Sequence, residues 1–98
     1  MKLIIAIIRP FVIDRLVVAL ENIENFPGLT VTDTEGFGKR VKTAEDVINP
    51  FKPNKRIEIA APEEMVEPII ASIKEHAHTG RKGDGFVIVI DIEESALL

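Results

Sequence analysis

Apolar and polar positions along the chain fall into six stretches of two kinds. Residues 2–9 are dense in isoleucine, with Leu3, Ile5 and Ile7 on one alternating face and Ile4, Ala6 and Ile8 on the other. That pattern predicts a central strand buried on both sides, ended by Arg9-Pro10-Phe11 because proline cannot donate to a ladder. From about 12 to 25 the spacing turns helical through Ile13, Leu16, Val17, Leu20 and Ile23, with Asp14 in the first turn and Pro27-Gly28 as the stop. Residues 29–37 are rich in β-branched side chains and predict a second strand. Residues 39–54 lack periodicity and hold Pro50 and Pro53, so they predict a long flexible loop. Arg56-Ile57-Glu58-Ile59-Ala60 alternates as a third strand. Pro62, Glu63 and Glu64 then open a second helix with a stripe of Met65, Val66, Ile69, Ile70, Ile73 and Ala77, interrupted by Pro68. A glycine-rich loop, 79–85, leads to a fourth strand from Phe86 to Ile92, apolar on both faces.

The order β-α-β-β-α-β predicts an α+β, ferredoxin-like fold: one antiparallel sheet with both helices on one face. Strands one and four nevertheless supply the uncovered face with isoleucine and valine. A sheet covered on one side and apolar on both needs a second subunit against it. The chain is therefore expected to be a single domain, 1–98, within an oligomer.

Composition narrows the function classes. The 98 residues are 46% hydrophobic and 29% charged, with a formal net charge of −4. An acidic total argues against general nucleic-acid binding, which rests on a basic surface. With no cysteine, disulfides and thiolate metal sites are excluded. No apolar run approaches the roughly 18 residues of a membrane span, and the N-terminus lacks the features of a signal peptide, so a cytoplasmic protein is expected. Eight of the twelve basic residues cluster: Lys39, Arg40, Lys42, Lys52, Lys55 and Arg56 in one stretch, Arg81 and Lys82 in another. They read either as a solvated loop or as a local anion site.

The second reading gains from two glycine segments, Glu35-Gly36-Phe37-Gly38-Lys39-Arg40 and Thr79-Gly80-Arg81-Lys82-Gly83-Asp84-Gly85. Glycine admits an anion close to backbone N–H groups, and neighbouring arginine or lysine can pair with phosphate. Neither segment has the P-loop pattern.

These two segments, together with Ile7-Ile8-Arg9-Pro10-Phe11 and Gly28-Leu29-Thr30-Val31-Thr32, closely resemble the PII signal-transduction family, in the same order and spacing from residue 1 to about 92. The resemblance implies a homotrimer that binds ATP, ADP or AMP as an effector between subunits and regulates a target protein through a T-loop. Here the T-loop is 39–54 and the glycine-rich B-loop 79–85. It places Gly36, Gly38, Lys39 and Arg40 at the T-loop base, Gly80, Arg81, Gly83, Asp84 and Gly85 at the phosphates, and Thr30, Glu58 and Ala60 around the adenine. It implies no catalysis. Several positions depart from the family. Arg40 replaces the glutamine that helps hold Mg²⁺ and 2-oxoglutarate, and Phe86 and Asn54 replace lysines. The loop is shorter and the chain has no tyrosine, which rules out uridylylation there; the arginine pair of the C-terminal segment is also missing. A divergent member with a different effector is expected, its target a transporter or efflux system.

Two alternatives stand beside it. His76 and His78 are weak candidate metal ligands, because i, i+2 residues do not share a helical face. A metal- or bicarbonate-responsive, CutA-like trimer without nucleotide is the other reading. An enzyme would need a nucleophile or acid–base pair in a cleft; Arg81 with Asp84 is the nearest approach.

Overall fold

The computed structural model describes residues 1–38, 44, 48–81 and 83–98. Its elements are β1 (Lys2–Ile8), a 3-10 turn (Pro10–Val12), α1 (Ile13–Glu21), β2 (Thr30–Gly36), β3 (Lys52–Ala61), α2 (Glu63–Ala77) and β4 (Gly85–Asp91). The four strands form one antiparallel sheet in the order β2-β3-β1-β4. The predicted α+β ferredoxin-like fold is therefore the fold observed.

The helices lie on the face where the apolar floor runs across both β1 and β3. Ile4, Ala6 and Ile8 of β1 and Ile57, Ile59 and Ala61 of β3 alternate inward. They meet Leu16 and Leu20 of α1 and Ile69, Ile73 and Ala77 of α2 in one core. Leu16 is fully buried. Leu16→Ala is expected to cost about 2–5 kcal/mol of stability through lost burial and the cavity left behind, measurable by urea unfolding. Helix α2 runs through Pro68 without a break; that residue is exposed, so the missing hydrogen bond lies toward solvent.

Two boundaries differ from the sequence expectation. Helix α1 ends at Glu21, not near 25, because the chain turns through Asn25 at φ 62°. Ile23, Phe26 and Leu29 still pack on the core from that turn, which preserved the apparent periodicity. Strand β3 starts at Lys52, inside the expected loop 39–54. Pro53 fits there because pairing of β1 with β3 begins only at Ile8↔Lys55, while Pro53 opposes Glu35 of β2. Residues 52–54 thus have β2 on one flank and no strand on the other, the setting in which proline is tolerated. Of the remaining loop, residues 39–43 and 45–47 lie outside the described residues.

Beyond the end of β1, the β2–β3 ribbon carries Phe37 and Phe51, whose ring centroids are 5.7 Å apart. Between the ribbon and Pro10 lies a hollow of about 530 Å³ lined by Asp33, Thr34, Glu35, Pro53, Asn54 and Lys55. Across the ribbon, the Lys55 ammonium pairs with the Asp33 carboxylate. At the opposite end of the sheet Lys2 reaches both Asp91 and, at 3.5 Å, Glu63. The two carboxylates raise the pKa of Lys2, and Lys2 lowers that of Asp91.

Candidate functional site

The uncovered face of the sheet is divided by chemistry. Registers align Thr30, Glu58, Ile5 and Ile88 in one row across the four strands, and Thr32, Arg56, Ile7 and Phe86 in the next. Ala60, Leu3 and Ile90 form a third row on β3, β1 and β4. Strands β2 and β3 therefore contribute a polar half, where Arg56 Nε stands 3.4 Å from Glu58 Oε1. Strands β1 and β4 contribute an apolar half. Phe86, Ile88 and Ile90 are substantially exposed, although nothing in their chemistry favours water.

Thr30, Glu58 and Ala60, expected around an adenine, do share this face. Thr30 and Glu58 are cross-strand partners, and Ala60 lies two residues along β3 from Glu58. Gly36 closes β2 opposite Lys52, and a Cβ on it would lie 2.7 Å from the Asn54 side-chain nitrogen. Gly38 follows in open space. Lys39 and Arg40 lie outside the described residues, as does Lys82.

The second glycine segment begins where α2 ends. The exposed carbonyls of that helix end would lack partners, but Arg15 of α1 supplies them. Its Nε donates to the carbonyl of His76 at 2.6 Å, and its Nη2 to that of His78 at 3.4 Å. The chain then closes on itself through Asp84. Thr79 N–H donates to Asp84 Oδ2 at 2.7 Å, the Thr79 hydroxyl donates to Asp84 Oδ1, and Arg81 N–H reaches Thr79 Oγ1 at 3.4 Å. His78 Nδ1 is 3.5 Å from Asp84 Oδ2. These donors, the Thr79 hydroxyl first, then backbone N–H groups and the nearby imidazole, hold the Asp84 carboxyl below its usual range. A depressed carboxyl stabilises the fold at pH above its unfolded value, and the contribution is lost as pH falls through the lowered one.

Gly83 turns the loop at φ 78°, and Gly85 enters β4 at φ 123°. At Gly85 the backbones of β1 and β4 nearly touch: a Cβ would stand 1.8 Å from the Ile7 carbonyl oxygen. Behind the loop lies a cavity of about 230 Å³ lined by Ile8, Ile73, Lys74, Ala77, Val87 and neighbours. His76 and His78 take separate partners. His76 Nδ1 is 2.9 Å from the Ser72 carbonyl oxygen and its Nε2 3.6 Å from Glu75, while His78 faces Asp84. Among the described residues, no three side chains of metal-ligating type converge.

The two glycine segments share one end of the sheet, since Gly36↔Lys52 and Ile8↔Gly85 both lie there. They sit on opposite edges, however. Two strands intervene, and three strand spacings separate β2 from β4 by roughly 14 Å. Among the described residues, one chain does not bring the two glycine segments together.

With this arrangement in view, comparison with known proteins is decisive. The family model described as "Nitrogen regulatory protein P-II" matches residues 1–97. The chain belongs to the P-II family. The nitrogen regulatory protein P-II of Bradyrhizobium diazoefficiens is 41% identical over 100 residues, covering 97% of this chain and 88% of the relative. Those of Azospirillum brasilense and Rhodospirillum rubrum are 40% and 41% identical, covering 96% and 97% of this chain and 88% of each relative. Membership assigns the chain to regulatory proteins. Among the described residues no helix is long and apolar enough to cross a membrane.

Sequence reasoning missed Thr79, whose hydroxyl and N–H both serve Asp84. The available signal was a threonine and an aspartate bracketing a short glycine turn, the spacing at which one side chain can close a loop.

Proposed function

We propose that this chain is the cytoplasmic subunit of a homotrimeric regulator that binds an adenine nucleotide between subunits and acts, without catalysis, on a partner protein through residues 39–54. The observation that carries this reading is the separation of the half-sites. A loop at the β4 edge and a glycine segment at the β2 edge, at the same end of the sheet, form one cleft when the edges of two copies are brought together. Juxtaposing the open faces also buries the apolar half made by β1 and β4.

Thr30, Glu58 and Ala60 would then face the base, Gly36 and Gly38 with Lys39 and Arg40 would lie at the ribose and phosphates of the same edge, and the 79–85 loop would come from the neighbour. The departures bear on which nucleotide fits. Phe86 is exposed where the family carries a phosphate-binding lysine, and Arg40 stands where the family's metal-holding glutamine would be and cannot ligate a metal. These changes remove contacts that serve the outer phosphates. The partner proposed is a transporter or efflux system.

Calorimetry against AMP, ADP, Mg-ATP and 2-oxoglutarate tests the reading. ADP or AMP is expected to bind at least as tightly as Mg-ATP, with no added affinity from 2-oxoglutarate. Gly83→Val should abolish binding, because a side chain there both strains the φ 78° turn and fills the anion's place. Arg81→Glu should weaken binding through repulsion. A tenfold preference for Mg-ATP over ADP, about 1.4 kcal/mol, overturns the assignment of the departures; no binding of any nucleotide overturns the function.

A further inference from the structure

Glycine loops are usually read as if all their N–H groups were available to an anion. Here the first part of the loop is already occupied by an anion of the chain's own, the Asp84 carboxylate. It accepts from the N–H and the hydroxyl of Thr79. The Thr79 oxygen in turn accepts the N–H of Arg81. Two backbone donors, at 79 and 81, are thereby engaged within the loop. The side chain of Asp84 is only 17% exposed, so the contacts are sheltered from competing water.

We infer that Asp84 and Thr79 are positioning residues: they hold the turn of the 79–85 loop, engage the N–H groups of residues 79 and 81, and leave the backbone from Gly83 onward to an incoming phosphate. This rests on the nucleotide reading above and revises two of its expectations. Asp84 acts through the loop and not by touching the ligand. The Arg81 N–H is already engaged by Thr79, so any contribution of Arg81 comes from its exposed side chain. The depressed Asp84 carboxyl agrees with this, since a carboxylate facing several donors stays ionised. A free carboxylate at the same place would repel phosphate; one already holding two donors does so less.

The pair Thr79→Val and Thr79→Ser separates positioning from bulk, because valine matches threonine in shape and serine keeps the hydroxyl. Asp84→Asn preserves volume and removes the charge. Two readouts are taken on the whole chain: amide hydrogen exchange at residues 79 and 81 without ligand, and calorimetric affinity for ADP. In the wild type these amides should be protected at least tenfold over open-chain rates. Thr79→Val and Asp84→Asn should lose that protection and bind ADP at least tenfold more weakly at unchanged subunit number, and Thr79→Ser should keep both properties. If Asp84 touched the nucleotide itself, Thr79→Val would leave the affinity unaltered, and that result overturns the inference. So do unprotected amides at 79 and 81 in the wild type. If the wild type binds no nucleotide, the proposed function fails; the clasp is then judged on exchange alone, retained if Thr79→Val and Asp84→Asn lose the protection and rejected if they keep it.

Discussion

Gly85→Val is expected to be the most damaging single substitution at the site. The new Cβ would stand 1.8 Å from the Ile7 carbonyl oxygen and 2.9 Å from its carbon, both backbone atoms of the central strand, so no side-chain rotation relieves the clash. The residue also holds φ 123°, a conformation that β-branched side chains do not adopt. Backbone strain of this kind costs about 1–3 kcal/mol on its own. Displacing β4 from β1 at Ile8↔Gly85 brings the total above about 4 kcal/mol, the range of exceptional mutations. For a domain of this size the melting temperature should fall by roughly 15–30 °C. Gly38→Ala is the control: nothing lies within 4 Å of a Cβ there, and the change should stay within about 0.5 kcal/mol. Thermal and urea unfolding of both variants measure the contrast. A Gly85→Val protein that melts within a few degrees of the wild type would exclude so close a β1–β4 approach.

Ile88→Asp should have the largest effect on assembly. Ile88 lies on the open face in register with Ile5, flanked by Phe86 and Ile90 on its own strand and by Leu3 and Ile7 on β1. If subunits meet through this face, each interface buries an aspartate without a basic partner from β1 or β4. Burying an unpaired carboxylate costs several kcal/mol. Wild-type protein is expected to sediment as a trimer at micromolar concentration and Ile88→Asp as a monomer. Val18→Asp, which places the same charge on the exposed outer side of α1, should remain trimeric. A trimeric Ile88→Asp protein would move the interface elsewhere.

How far the fold could be read in advance depends on where its cause is local. Strand β3 announces itself from Arg56 onward because Ile57 and Ile59 enter the core while Arg56 and Glu58 stay on the open face. Its first residues do not, because nothing in Lys52-Pro53-Asn54 alternates by hydrophobicity. They are a strand only because β2 pairs with them and β1 stops short. The stripe of α2 was legible through Ile69, Ile73 and Ala77, since the same residues that repeat at helical spacing are those buried. The end of α1 was not, because Ile23 reaches the core from a turn as readily as from a helix.

At the site, glycine content was visible but its purpose was not. Gly83 and Gly85 are two residues apart, yet one serves a turn and the other a backbone contact with a strand more than seventy residues earlier. Asp84 reads from the sequence as a candidate ligand contact; its partners on Thr79 make it part of the loop's framework. That the two glycine segments occupy opposite edges follows from the strand order alone, which no local pattern encodes.

The stretch in which β2 and β3 continue past the end of β1 gives this chain a lever. Three cross-strand pairs, from Gly36↔Lys52 to Thr34↔Asn54, project about 10 Å beyond the last pair that β1 supports, Ile8↔Lys55. A two-stranded ribbon has little rigidity of its own. Its fulcrum is at Lys55, where the third strand joins, and the hollow toward Pro10 leaves it room to swing. A few degrees of bend at that fulcrum would carry the Phe37–Phe51 tip through an ångström or so while the four-stranded body stays still. Rotation about one line would thus displace the ribbon's tip without rearranging the sheet beneath it.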